Sequence, residues 1–131
     1  MIVVDTSVWV AFFRGSPRST GERLKALLDD DQVAMPVPVR VEILGGARSE
    51  NLVQLRRLLS ALPTLYPTEQ AWVRMEAWAA RSARAGQRFG VGDLLIASLA
   101  AEQRLPLWSL DRDFDRMARL GFIEIHTWQD R

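Results

Sequence analysis

The sequence predicts an α/β protein with a central, mostly parallel twisted sheet of about four to five strands flanked by helices on both faces. Short apolar runs alternate with amphipathic, helix-period segments along the chain, and this βα alternation argues for a parallel sheet. At 131 residues the chain suits one domain with one core, spanning 1–131. A chain of this size buries roughly two-thirds of its unfolded surface and needs no covalent staple. There is no internal repeat, low-complexity segment or linker to divide it.

Ile2-Val3-Val4 is a β-branched run that suits a buried strand. Asp5-Thr6-Ser7 then supplies capping side chains, and a short helix follows over Val8 to Phe13 until Gly15, Ser16 and Pro17 break it. Residues 18–29 read as an amphipathic helix with Leu24, Leu27 and Leu28 inward, followed by a short strand from Gln32 to Met35. Pro36 and Pro38 frame the start of a helix over roughly 37–48, because early-turn prolines lack only N–H groups that have no helical partner. Leu52, Leu55, Leu58 and Leu59 mark another helix, and a short strand is expected at Thr64 to Tyr66. Thr68 and Glu69 open a long helix to about Ala85, with Trp72, Met75, Ala79 and Ser82 on one face. The glycine-rich loop GQRFGVG, 86–92, precedes a helix that Asp93 opens. Pro106 to Trp108 reads as a strand, Asp111 to Arg119 as a helix, and Phe122 to Ile125 as a final strand.

Composition narrows the chemistry. No cysteine is present, which excludes disulfides, thiolate metal sites and a cysteine nucleophile. His126 is the only histidine, so a histidine-rich metal site is excluded too. Carboxylates or hydroxyls must carry any hydrolytic reaction. The net charge of +1 says little about partners, and the bases are arginines apart from Lys25. Arginine forks suit phosphate and carboxylate contacts, although a GC-rich genome also explains the bias. The apolar N-terminus lacks the basic start of a signal peptide and is split by Asp5. With no stretch of the roughly 20 apolar residues that span a bilayer, a soluble cytoplasmic protein without membrane attachment is expected.

Four acids stand out by position. Ligands in open α/β sheets sit beyond the carboxyl ends of the strands. Asp5 ends the first strand, Asp111 lies just past Leu107-Trp108, and Asp93 sits in the first turn of a helix behind the glycine loop. Glu42 lies within the apolar helix segment VPVRVEILGG, one turn from Gly45 and Gly46, small residues that leave room for a metal or a nucleic-acid backbone. Taken singly, the aspartates also suit plain helix N-caps, and Glu42 a solvent-facing position. Jointly they point to a cation site, because clustered carboxylates ionise together only at a cost that a cation relieves. Oxygen ligands select hard ions such as Mg²⁺, Mn²⁺ or Ca²⁺. Such an ion polarises a phosphoryl oxygen and acidifies water, a route to phosphodiester hydrolysis without His or Cys.

MIVVDTSVWVAFF, the Glu of VPVRVEILGG, DLLIASLAA and WSLDRDFDRMARLG together resemble the four acidic motifs of PIN-domain nucleases, over essentially the whole chain. Spacing and length are most similar to the VapC-type toxins of bacterial toxin–antitoxin pairs. The resemblance implies a PIN-like fold and a Mg²⁺- or Mn²⁺-dependent endoribonuclease, with Asp5, Glu42, Asp93 and Asp111 as metal-binding, catalytic acids. Thr6 or Ser7 matches the hydroxyl position after the first acid, and Ser109 the one before the last; Asp113 and Asp115 share the last motif and are candidates to assist. Arg14, Arg40, Arg88 and Arg112 lie near the motifs and are candidate RNA phosphate contacts, with solvated surface as the equal alternative. The resemblance also implies an RNA substrate, a homodimer, and a VapB-type antitoxin that occupies the active-site groove, in a heterotetramer or larger assembly. The expected reaction leaves a 5′-phosphate and a 3′-hydroxyl.

Other readings fit less well. The tryptophans suit core or interface packing better than base stacking, Trp9 near Asp5 being the hardest to place. GQRFGVG lacks the Lys-Ser/Thr of a P-loop. The helices after Pro17 and Ser49 are candidate dimer or antitoxin surfaces. A receiver or aspartyl-phosphatase domain would show a late lysine or Asp-x-Asp after the first strand, and neither is present. A PIN nuclease acting in RNA processing or on DNA without an antitoxin, or a non-catalytic PIN-like binding module, remains as an alternative. His126 is assigned no role.

Overall fold

A computed structural model describes residues 1–128, so the last three residues of the expected domain, 129–131, lie outside the described part. Strands are β1 (Ile2–Val4), β2 (Val33–Pro36), β3 (Thr64–Leu65) and β4 (Leu107–Trp108). Helices are α1 (Thr6–Arg14), α2 (Arg18–Asp29), α3 (Val37–Gly45), α4 (Leu52–Ser60), α5 (Glu69–Arg84), α6 (Val91–Glu102) and α7 (Arg112–Arg119), with a 3-10 turn at Ser49–Asn51.

The strands pair in the order β3-β2-β1-β4, all parallel. Every residue of β1, β2 and β4 is buried. Successive side chains on a strand point to opposite faces, so both faces of the sheet are covered. The core joins these strands to Val8, Leu24, Ile96, Phe114 and Met117, which brings α1, α2, α6 and α7 onto one hydrophobic cluster.

The chain runs from β1 outward through β2 to β3, then returns to place β4 on the other side of β1. That reversal puts the switch point of the sheet between β1 and β4, where the carboxyl ends diverge into a crevice. Asp5 and Ser109 follow directly on these two strands.

Several local expectations are corrected. The inward face of α5 is Ala71, Met75, Trp78 and Ser82, and Trp72 and Ala79 face outward. Trp78 stacks on Phe122 with ring centres 4.5 Å apart and planes at 5°. Ala71 is small enough for α6 to approach, and Ser98 Oγ donates to its carbonyl at 3.2 Å. Leu59 is buried but Leu58 is exposed. Helix α3 ends at Gly45, short of the expected 48, and the glycine-rich loop stops at Gly90 because Val91 and Gly92 already belong to α6. The final strand reduces to one parallel bridge, Leu107↔Ile125, since β4 has only two residues to pair against. Phe122 and Ile123 are core residues without strand pairing.

Trp9 is buried and contacts the rings of Phe12 and Phe13. Trp108 packs edge-to-face against Trp128 at 4.8 Å. No helix among the described residues is long and apolar enough to cross a membrane.

Candidate active site

Asp5 is the N-cap of α1, with extended backbone and a side chain that accepts from Ser7 N–H at 3.3 Å. The same oxygen, Oδ2, accepts from Ser7 Oγ and Ser109 Oγ, each at 2.8 Å. Three donors on one oxygen leave Oδ1 with no hydrogen bond among the described residues. Ser7 Oγ accepts from the Leu110 N–H and Ser109 Oγ from the Asp111 N–H, both at 2.9 Å. The two hydroxyls therefore lock the turn after β1 to the turn after β4 and fix the buried Asp5 carboxylate between them.

Asp111 is the N-cap of α7; its Oδ1 accepts from the Asp113 N–H at 2.9 Å. Asp93, the third residue of α6, is half-buried. One carboxylate oxygen from each of Asp93, Asp111 and Asp113 lies within 4.8 Å of the others. Burial pushes the Asp93 carboxyl up from 3.8 to about 6, and repulsion from Asp5, Asp111, Asp113 and Glu42 adds to it. These four neighbours come from three elements, the start of α1, α3 and the start of α7, and they face Asp93 on α6.

Glu42 accepts from Thr6 Oγ1 at 3.1 Å, which ties α3 to the start of α1. The inward face of α3 is Val39 and Ile43, while Val41 and Glu42 point out. Glu42 is thus less out of place than its apolar neighbours suggest. A side chain at Gly45 would meet nothing within 4 Å, while one at Gly46 would meet the Glu42 and Ile43 carbonyls at 3.7 and 3.9 Å. Beside Glu42 and Thr6 opens a cleft of about 800 Å³ lined by α1, α3 and α4, with Phe13, Arg14, Arg48 and Leu58 on its walls.

Of the predicted residues, the fold brings together Asp5, Glu42, Asp93, Asp111, Asp113, Thr6, Ser7 and Ser109. Asp115 is exposed and outside the group around Asp93. Arg14 lines the cleft, and Arg88 and Arg112 are exposed at the starts of the segments leading to Asp93 and along α7. Arg40 turns away: it donates to Thr64 Oγ1 at 3.2 Å and Tyr66 Oη at 2.8 Å, anchoring β3. Two residues were missed. Arg48 lines the cleft, and nothing in its local sequence signals this. Arg116 pairs with Asp113 one turn back on α7, a spacing that could have been read. His126 is half-buried edge-on to Trp128, and burial, then the nearby N-terminal charge, lower its pKa.

Residues 2–120 match the PIN domain family. Ribonuclease VapC11 of Mycobacterium tuberculosis is 36% identical over 134 residues, covering 98% of this chain and 100% of that protein. Ribonuclease VapC1 of Haemophilus influenzae is 28% identical, covering 98% and 96%. The chain also superposes on solved toxin–antitoxin structures. VapBC2 from Rickettsia felis, bound to a promoter DNA fragment, gives a TM-score of 0.77 at 21% identity, covering 98% of this chain and 100% of that one. VapBC-5 from Mycobacterium tuberculosis gives 0.64 at 29% identity, covering 94% of each.

Proposed function

The chain belongs to the PIN-domain family, in its VapC branch, and we propose that it is a toxin-type endoribonuclease that hydrolyses RNA with a divalent cation, Mg²⁺ or Mn²⁺. The observation that carries this reading is the convergence of Asp5, Glu42, Asp111 and Asp113 on the half-buried Asp93. Asp5, Glu42, Asp93 and Asp111 are the residues that would hold the cation, with Asp113 at the same edge. The donor set fits a hard ion: it is oxygen only, and three of its carboxylates come within 4.8 Å of each other. Mutual repulsion at Asp93 is the cost that such an ion relieves. When bound, it would polarise a phosphoryl oxygen and lower the pKa of water.

The chain's own groups do the positioning. Ser7 and Ser109 hold Asp5 through Oδ2 and leave Oδ1 without a hydrogen bond among the described residues. Thr6 steadies Glu42 from the adjoining helix. Arg14 and Arg48 on the cleft, and the exposed Arg88 and Arg112 in the segments that carry Asp93 and Asp113, suit RNA phosphates flanking the scissile bond. In-line attack of water on phosphorus, with the 3′ oxygen leaving, gives a 5′-phosphate and a 3′-hydroxyl. The cleft supports a VapB-type antitoxin as the inhibitory partner, because a peptide seated there lies against Glu42 and Thr6. Exposed Trp72 and Val73 on α5 support a homodimer, and the reading places the protein in the cytoplasm.

The test is to incubate antitoxin-free protein with RNA in Mg²⁺ or Mn²⁺, with and without EDTA, and to sequence the cut ends. Cleavage that needs the cation and is lost in Asp5→Asn and Asp93→Asn, both still folded, is expected. No cleavage of any RNA by the inhibitor-free protein would overturn the reading.

A further inference from the structure

We propose that Arg116 is a positioning residue for the cation site: its guanidinium holds the Asp113 carboxylate so that Asp113 joins Asp93 and Asp111 as a ligand. This rests on the metal-dependent reading above. Asp113 and Arg116 sit one turn apart on α7, and Arg116 Nη2 donates to Asp113 Oδ1. Among the described residues, Arg116 is the one cationic side chain in an ion pair with any acid of the site.

Arg116 is also held from the other side. Its guanidinium carbon lies 6.0 Å from the centre of the Phe89 ring. Phe89 is buried in the segment that leads into α6, and so to Asp93. One side chain thereby spans the two elements that present Asp93 and Asp113. Its Nε is buried without a hydrogen-bond partner. An unmade bond of this kind is costly, and a solvated surface arginine would avoid it. The placement is stable because the carboxylate and the ring hold the rest of the fork.

An ordinary exposed pair at this helical spacing would contribute little to stability and nothing to cation binding. Asp113 differs because its side chain is 30% exposed and has an oxygen in the group with Asp93 and Asp111. Asp111 has already given Oδ1 to the cap of α7. Residues that orient a metal ligand typically cost about 10–100-fold in metal affinity when removed.

The experiment is calorimetric titration of Mn²⁺ into the full-length, antitoxin-free protein. Variants are Arg116→Met and Arg116→Lys, each also in an Asp113→Asn background, with melting in EDTA as the control for folding. Arg116→Met should weaken Mn²⁺ binding about 10–100-fold. Arg116→Lys should recover part of the loss, since a point charge pairs with Asp113 but lacks the planar fork. With Asp113→Asn, removing Arg116 should cost less than about twofold more, because the effect passes through that carboxylate. Mn²⁺ affinity of Arg116→Met within twofold of wild type would overturn the proposal, as would an undiminished loss in the Asp113→Asn background. Where Arg116→Met does not fold, Arg116→Gln, which also removes the charge, is held to the same criteria. The readout is Mn²⁺ affinity, so a failure to cleave RNA would overturn the proposed function without touching this one.

Discussion

Replacing Asp93 with asparagine separates the electrostatic cost of the acidic site from its chemistry. Burial and four neighbouring acids raise the Asp93 carboxyl from 3.8 to about 6, so the folded chain favours its neutral form. A raised pKa contributes stability that is fully present below 3.8 and is lost as pH climbs through about 6. Above that, the ionised carboxylate burdens the cation-free fold by a constant amount. The ceiling is about 3 kcal/mol, at about 1.4 kcal/mol for each tenfold change in proton affinity. Asp93 is only half-buried, and solvent screening brings the expected effect down to about 1–2 kcal/mol. Asparagine mimics the neutral acid at every pH. In EDTA at pH 7.5, Asp93→Asn should therefore be more stable than wild type by about 1–2 kcal/mol, a rise of about 3–8 °C in melting temperature. At pH 4 the gain should nearly vanish. Urea unfolding of both proteins at the two pH values measures it. A variant no more stable than wild type at pH 7.5, or one equally stabilised at both values, would refute the reasoning.

Two further outcomes follow from the same geometry. Ser109→Ala removes a donor to Asp5 and the acceptor of the Asp111 N–H, so RNA cleavage should fall about 10–100-fold while the protein stays folded by circular dichroism. Arg14→Ala should weaken RNA binding by the cation-free protein and lower its salt-dependence slope by about one, whereas Arg40→Ala, whose guanidinium is engaged by Thr64 and Tyr66, should leave both unchanged in a filter-binding titration.

The parts of the site that were legible in the sequence are those fixed by strand ends. Ile2–Val4 reads as a buried strand from three consecutive β-branched residues, and Asp5 follows it without ambiguity. Ser109 and Asp111 follow the shorter apolar run Leu107-Trp108. Helical rotation was less legible. On α5 the positions 72, 75, 79, 82 and 71, 75, 78, 82 are both acceptable apolar stripes, and only the tertiary contacts of Trp78 and Ala71 decide between them. The last strand reads longer in the sequence than it is, because apolar Phe122 and Ile123 fill the core without pairing. Long, flexible arginines were the least legible of all. Arg40, on α3, reaches Tyr66, whereas Arg48, in the segment after α3, reaches the cleft. Where a long side chain ends depends on what lies several ångströms from its backbone, which spacing along the chain does not encode.

The capping and cation-binding readings of the aspartates turn out to be complementary. Asp5 caps α1 through Oδ2, and Asp111 caps α7 through Oδ1, so each uses one oxygen for the fold and keeps the other. Such caps draw the acids to the strand ends whether or not an ion is present. Asp93 has no such structural use: its side chain makes no hydrogen bond among the described residues, and its neighbours repel it. The unfavourable electrostatics of the site therefore concentrate on one residue. A cation that relieves this repulsion binds the folded chain and not the unfolded one, and it stabilises the fold in proportion to the logarithm of its concentration. Asp93→Asn should then raise stability in EDTA and diminish the stabilisation that Mn²⁺ provides, two opposite shifts from one substitution. A purely structural aspartate would produce neither.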